Sequence, residues 1–496
     1  MTRVGTGFAL VALLIGYVAL AGWVPPFDDE IYYWCWSQQL QRSYFDHPPM
    51  TAYLIRASTE VFGHSLTAIR LPACLTAVII AAILANLTRP RAFLLWALAT
   101  PMFTFGAVLV TPDTPLLLFW TAYLGWLVAV HRRMTPTEGE PTPIPLTLWL
   151  LGGLILGCGG LGKYTCVLAV PAGFVSFLLA GSVPLRRWLP GYVLHGAIAG
   201  LLVSPVFLFN WDYDFAPLRF QWEHINRGGR QGLGPFAEFA GVQMALVGML
   251  PLALLPWVWW NLRGLSVDPC LRVCAALYAV PLTFFLYKAT RGHLEGNWAM
   301  ACYLGFWPLA AHWYSVWAVT PTRRALVAAS FLFPGICVIG AAIHLAYPLP
   351  QFPPAADRVA RQAVRMEIAA KTAEMVRTNG ELPVYVATYQ WAALLRYRGL
   401  DARQIDGASR PSHFTLSPER METAPDQVYV FNEGPLPMEM APGYGWPELL
   451  VNYPVAVRGV TTGYVQLYRY TREPPCEHCG PVHAAAIGGM SQAPMR

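Results

Sequence analysis

Charge is what this 496-residue chain has least of. Asp, Glu, Lys and Arg make up 12% of it, about half the share of an ordinary soluble domain, while 55% is hydrophobic. That balance excludes a soluble enzyme and reads as a polytopic membrane protein. Neither sign of charge dominates. The net charge is +6 and the Lys and Arg are dispersed, so no nucleic-acid surface is indicated. There is no P-loop, and no Gly-rich phosphate loop follows a strand. No Ser/His/Asp or Cys/His arrangement is placed for hydrolysis. The ten cysteines give no metal framework or disulfide scaffold. Cys74, Cys158, Cys166, Cys302 and Cys337 fall inside hydrophobic runs and read as packing residues. Cys476-Glu-His-Cys479 with His483 has a metal-like spacing, but it lies in a Pro-, Gly- and Ala-rich tail, where chance or a local disulfide is the simpler reading.

Apolar runs and aromatics are abundant instead. Nineteen Trp and 23 Tyr gather near the ends of the runs, as interfacial belts do. Runs near 4–24, 66–87, 92–110, 115–131, 146–162, 164–181, 189–209, 238–262, 271–287, 298–318 and 325–347 suggest spans. The first holds Ala19-Leu20-Ala21, as a signal peptide would. It also approaches the ~20 residues that cross a bilayer, so a retained helix is the better reading. Short connectors with Arg3, Arg89/Arg91, Arg132/Arg133, Arg186/Arg187, Arg263/Arg272 and Arg323/Arg324 mark one side as cytoplasmic. The expected fold is a polytopic α-helical membrane protein with about eleven transmembrane helices and a small C-terminal α/β soluble domain. The expected division is a transmembrane domain over 1–349, an extracytoplasmic α/β domain over 350–475 and a disordered tail over 476–496. In the α/β domain, a helix over 355–377 ends at Asn379-Gly380. Strands are expected at 384–388, 427–431, 449–457 and 464–470, with a short helix over 391–398.

The connectors on the other side differ in kind. The first carries Asp28, Asp29, Glu30, Arg42, Asp46 and His47 among aromatics. The second is Thr111-Pro112-Asp113-Thr114-Pro115, and the third is Gly162-Lys163-Tyr164. The fourth, 210–235, holds Asp212, Asp214, Arg219, Glu223, His224, Arg227 and Arg230, and the fifth holds Lys288, Arg291, His293, Glu295, Asn297 and Trp298. Any one such charge is ordinarily a solvated surface group. Asp113 and Lys163 are different, because each stands alone at the mouth of a tight apolar hairpin, where a lone charge is expensive. Pairing with each other or with a ligand would offset that cost.

This set suits group transfer from a lipid phosphate. Arg grips a phosphate bidentately and Lys as a point charge. A carboxylate at the membrane edge suits a general base acting on an acceptor hydroxyl. Aromatic faces suit sugar rings, although interfacial anchoring explains Tyr32, Tyr33, Trp34 and Trp36 equally well.

Asp-Glu-Ile-Tyr-Tyr-Trp-Cys-Trp-Ser (29–37) followed by Tyr-Phe-Asp-His-Pro-Pro-Met (44–50) resembles the first outer loop of the GT-C glycosyltransferases. The nearest branch joins the lipid A aminoarabinose transferases and the protein O-mannosyltransferases, family 39-like. Thr-Pro-Asp-Thr-Pro-Leu (111–116), Gly-Leu-Gly-Lys-Tyr-Thr (160–165), Ser-Pro-Val-Phe-Leu-Phe-Asn (204–210) and His-Leu-Glu-Gly-Asn-Trp (293–298) follow in the same order. The resemblance covers residues 20–310 and is much weaker beyond them. It implies Asp29 as general base, with Glu30 completing the acidic pair. Asp46 and His47 would shape the site, with His47 standing where the aminoarabinose branch has lysine. Asp113 matches the second-loop acid, and Lys163 matches a lysine for the lipid phosphate.

The implied activity is inverting transfer of a single sugar from a polyprenyl-phosphate donor to a hydroxyl or phosphate of an envelope glycolipid, glycan or protein. Asp29 would deprotonate the acceptor. Lys163 and one of Arg219, Arg227, Arg230 or Arg291 would hold the departing phosphate. Tyr164, His293, Glu295 and Asn297 complete the expected binding set. No cofactor is required. A divalent cation (Mg, Mn or Ca) on Asp29, Asp46 and Asp113 is the one metal option. The expected location is the inner membrane, with a cytoplasmic N-terminus. A transporter or flippase, or a glycan ligase or polymerase, is the alternative. A transporter would show ionisable residues within spans and broken helices.

Overall fold

The computed structural model describes residues 3–88, 94–136, 140–181, 183–226, 231–349, 353–416 and 421–473. Arg89, Arg91, Arg227, Arg230 and the tail with Cys476, Cys479 and His483 lie outside the described residues. The chain divides into two compact units, 1–363 and 364–496.

The first unit is helical. Helices α1 (Arg3–Trp23), α2 (Asp28–Gln38), α3 (Met50–Phe62) and α4 (Leu66–Leu87) are followed by two short ones, α5 (Leu94–Leu98) and α6 (Pro101–Phe105). Next come α7 (Asp113–Met134), α8 (Leu146–Gly160), α9 (Ala169–Leu178), α10 (Leu189–Asp212) and α11 (Ala216–Asn226). Then α12 (Leu233–Val247), α13 (Leu250–Trp260), α14 (Leu262–Leu265), α15 (Pro269–Ala289), α16 (Cys302–Trp317), α17 (Pro321–Ser330) and α18 (Leu332–Ala346) complete it. Local chemistry sets several of the starts. Ser65 accepts from Ala68 N at α4. Asp268 accepts from Cys270 N and Leu271 N at α15, just before Pro269.

Among the described residues, five helices are long and apolar enough to cross a membrane, or seven if each of two bent pairs counts once, with shorter apolar helices at Leu146–Gly160 and Tyr164–Leu178. This is a multi-pass membrane protein by composition and length, and several of its apolar runs are broken or bent. The run at 92–110 breaks at Pro101, which lacks an N–H and holds Thr100 extended, leaving α5 and α6. The run at 238–262 bends by 103° between α12 and α13. Gly248 there has φ +92°, a conformation open to glycine, and Pro251 follows in the first turn of α13. The pair α17–α18 bends by 42°. The core lies along α7, α15 and α16, where Trp120, Tyr278, Tyr303 and Trp307 are fully buried. By contrast α1 and α10 leave Phe8, Ile15, Leu201 and Phe207 exposed, as lipid-facing helices do.

The second unit begins within helix α19 (Arg358–Asn379), which stops at Gly380 with φ +106°. Its strands are β1 (Val384–Val386), β2 (Ala402–Gln404), β3 (Gln427–Asn432), β4 (Glu448–Val457) and β5 (Val460–Thr471), with helix α20 (Tyr389–Tyr397) between β1 and β2. The sheet order is β2-β1-β3-β5-β4. β1 pairs parallel with β2 and β3, and β5 pairs antiparallel with β3 and β4. β2 is the strand the sequence pattern did not reveal. It is three residues long, Ala-Arg-Gln, without an apolar run.

Candidate active site

The first-loop acids divide by burial. Glu30 is 1% exposed and Asp29 is exposed, one residue apart in the first turn of α2. Acidic residues there complement the helix dipole. Glu30 points inward to Arg70 of α4, which is 0% exposed. Arg70 Nε donates to Glu30 Oε1 at 2.9 Å and Nη2 to Oε2 at 2.6 Å. The remaining guanidinium donors go to the carbonyls of Ala21, Val24 and Pro25, at the end of α1. Glu30 also accepts from Phe27 N and, across 80 residues, from Val110 N at 3.0 Å. This brace fixes α2 against the end of α1, α4 and the second loop. Glu30 is therefore a structural acid here, not the substrate contact that the acidic pair suggested.

The loop between α2 and α3 folds back on α2. Trp36 and Tyr44 stack with ring centroids 4.6 Å apart, and Tyr44 Oη donates to Trp36 O at 2.9 Å. Tyr32, Tyr33 and Trp36 are buried, so they serve this packing and neither membrane anchoring nor an open sugar platform. Tyr32 Oη donates to Asp46 Oδ2 at 2.8 Å. Asp29 and Tyr32 are three apart on α2 and share a face, which draws Asp29 and Asp46 to one side of the helix. Gln221 of α11 donates to Asp46 O at 2.7 Å, and Phe45 packs on Phe220. His47 is half-buried, with its ring 6.3 Å from that of Tyr33.

The two lone charges meet. Lys163 Nζ lies 2.7 Å from Asp113 Oδ1, and both residues are buried. Asn297 Nδ2 donates to Asp113 Oδ2 at 2.6 Å. Gly162 permits the approach: a Cβ there would sit 3.1 Å from Leu116 N and from Pro115. Tyr164, next in the chain, is half-buried. The fifth loop is held by Gln243 of α12, which donates to Gly296 O and accepts from Tyr303 Oη. Met50 N donates to Leu161 O, tying the first loop to the third.

All five loops thus converge on one end of the helical unit. The remaining expected residues are peripheral or outside the described set. Arg219 is exposed on α11. Arg291 is exposed and stacks over Tyr287. His293 is exposed and faces Glu238 and Glu295 at 3.5 and 3.7 Å. Among the described residues, no three His, Cys, Asp or Glu side chains gather to hold a metal ion. Asp29, Asp46 and Asp113, the one metal option in the sequence, are not brought together as such a group. Asp46 is held by Tyr32, and Asp113 by Lys163 and Asn297.

Sequence reading missed Arg70, Gln221 and Gln243. A lone arginine in the apolar run 66–87 was the available signal for Arg70. Arg272, read as a connector charge, is likewise buried in α15. It donates to His131 Nδ1, Thr135 Oγ1 and Ser266 O. Arg70 and Arg272 are thus ionisable residues inside α4 and α15, each within two turns of the start of its helix.

Residues 46–209 match the dolichyl-phosphate-mannose-protein mannosyltransferase family. The lipid A galacturonosyltransferase RgtD of Rhizobium johnstonii is 29% identical over 332 residues, 62% of this chain. The match spans 65% of that protein. ArnT of Cupriavidus metallidurans bound to undecaprenyl phosphate superposes over 94% of this chain and 98% of its own, with TM-score 0.62 at 15% identity. Its apo form gives 0.60. The chain resembles the GT-C branch of lipid A and protein-mannosyltransferase enzymes. In GT-C terms, the family match begins at Asp46 and ends at Phe209. It covers the Asp113–Lys163 pair but not Asp29, Glu30 or Asn297. At 15% identity, the likeness to ArnT describes the fold.

Proposed function

We propose that the protein is an inverting glycosyltransferase of the inner membrane. It would move a single sugar from a polyprenyl-phosphate donor to a hydroxyl or phosphate of an envelope acceptor, at the extracytoplasmic face. The observation that carries this reading is the convergence of five charged loops that brings Asp46 and the Asp113–Lys163–Asn297 group to one end of the helical unit, with Asp29 exposed in the first of those loops. The named activities of RgtD and ArnT's bound undecaprenyl phosphate support the donor and acceptor classes.

Asp29 is the general base in this reading. It is exposed, whereas Glu30 is sealed against Arg70. Its carboxylate takes the acceptor proton as the acceptor oxygen attacks the anomeric carbon, from the face opposite the lipid phosphate. The bond from that carbon to the phosphate oxygen breaks, and polyprenyl phosphate leaves as an anion. Lys163 and one of Arg219, Arg227, Arg230 or Arg291 stabilise it, so no general acid is needed. Lys163 and Asn297 both hold Asp113.

Purified protein assayed with galacturonosyl or aminoarabinosyl undecaprenyl phosphate and lipid A tests this. Asp29→Asn should lower transfer by about 10²–10⁴-fold with the protein still folded. Transfer at near wild-type rates by that variant would overturn the assignment. Turnover of an oligosaccharide-lipid donor but not a single-sugar donor would favour a ligase instead.

A further inference from the structure

A second site lies at the far end of the first loop. Gln41, Arg42 and Tyr53 face Phe209, Asp212 and Tyr213 across an open cavity of about 840 Å³. Tyr53 Oη donates to Gln41 O at 2.8 Å and fixes that wall. Arg42 Nη2 is hydrogen-bonded to Asp212 Oδ2 over the opening, and the two side chains are 55% and 46% exposed. An ion pair this exposed contributes little to stability, so an anion can displace Asp212 from Arg42 at small cost.

Two further observations place this cavity. Asp212 ends α10, an apolar helix long enough to cross a membrane. Trp211 and Trp222 beside it are 65% and 69% exposed, as aromatics at a lipid headgroup layer are. With α10 crossing the membrane, this is where the opening would meet lipid headgroups. In addition, the turn after Asp212 carries two successive non-glycine residues at positive φ, Asp214 at 51° and Phe215 at 57°. Such strain persists where the surroundings enforce it. Asn210 does so here, accepting from Leu218 N, while its carbonyl accepts from Phe215 N. Beyond the turn, α11 carries Gln221 to Asp46 in the candidate active site. One rigid corner thus joins the cavity to the catalytic loops.

We propose that this cavity binds the phosphate-bearing headgroup of the acceptor lipid. Arg42 is the phosphate contact and Asp212 its resting counter-ion. The Tyr53 and Tyr213 rings and Gln41 line the space for the attached saccharide. The proposal rests on the transferase reading and adds where the acceptor sits. The donor phosphate, in that reading, belongs to Lys163 and the α11 side.

The test is lipid binding by the full chain in phosphatidylcholine nanodiscs. The probes are bisphosphorylated lipid A, its dephosphorylated form, undecaprenyl phosphate and phosphatidylglycerol. Loss of one charge-assisted contact should weaken bisphosphorylated lipid A about ten-fold or more in Arg42→Gln, and less in Arg42→Lys. Asp212→Asn, which removes the internal competitor, should tighten it. Undecaprenyl phosphate should bind all three variants as it binds wild type, and dephosphorylated lipid A should be insensitive to Arg42. Unchanged binding in Arg42→Gln, or no binding of lipid A by the wild type, overturns the proposal. So does a parallel loss of undecaprenyl phosphate, which would make this a donor site, or equal competition by phosphatidylglycerol, which would make it a general anionic-lipid site. A wild type that binds lipid A through Arg42 but no polyprenyl phosphate would refute the donor reading and leave this one standing.

Discussion

Two buried ion pairs hold the candidate catalytic end of the helical unit, and they are built differently. Arg70 commits five hydrogen bonds, two to Glu30 and three to main-chain carbonyls at the end of α1. Glu30 adds two main-chain donors of its own. Lys163, by contrast, spends one of its three N–H groups on Asp113, among the described residues. A saturated pair can only position. A pair with spare donors can also bind. In the proposed reading the difference separates the scaffold of the site from its working part, although both pairs are buried. Arg70→Met should break the scaffold. It leaves Glu30 buried without its charge partner, a loss of about 3–5 kcal/mol. Adding Glu30→Gln should not rescue it, because the carbonyls of Ala21, Val24 and Pro25 still lack donors, at about 1–3 kcal/mol for each one left unsatisfied. Yield of monodisperse protein and its melting temperature measure both variants, and a well-folded double variant would contradict the distinction.

The same pairwise removal should end differently at the other pair. Lys163→Met with Asp113→Asn removes both charges and keeps an acceptor for Asn297, and no main-chain group loses a partner. Stability should hold within about 1 kcal/mol. Transfer should fall roughly 10–100-fold, the worth of one charge-assisted contact to phosphate. The loss should appear in the donor KM and in kcat/KM. A double variant that melts as early as Arg70→Met would show that Lys163 is scaffold too.

What could be read in advance follows the same division. The Asp113–Lys163 pairing was foreseeable because each residue is the single charge in a tight apolar turn. Its third member, Asn297, is 184 positions from Asp113 and carries no charge to mark it. The first-loop acids were visible as a pair, but their division of labour was not. Which of Asp29 and Glu30 turns inward depends on Arg70, and a single arginine inside an apolar run looks like noise in a hydropathy profile. Helical class and the small C-terminal sheet were legible from composition and from the change of pattern near residue 350. The straightness of the spans was not. Hydropathy sums over Gly248 and Pro101 without registering that one turns the backbone by 103° and the other splits a run in two. The short strand β2 escaped because its pairing with β1 at the edge of the sheet, and not its own three residues, defines it.

The C-terminal unit offers a third way to bury an ionisable group, and the mildest consequence. Burial of His413 and the nearby Arg396 push its pKa down to about 4, so the fold keeps it neutral. The unfolded chain, with a pKa near 6.5, binds this proton more readily. The contribution is therefore present above about pH 6.5 and is lost as pH falls toward 4. It should reach roughly 2–3 kcal/mol at the acid end, allowing for partial exposure. Hydrogen exchange of the full chain reads this locally. Amides of β1 and β3 should open more often at pH 5 than at pH 7.5, after correction for intrinsic exchange. His413→Gln should flatten that dependence. Protection that stays level in the wild type would mean that the imidazole takes its proton without disturbing the sheet. Charging a buried imidazole would then be tolerated in this unit, in contrast to the helical end, where Glu30 and Asp113 are each buried against a cation.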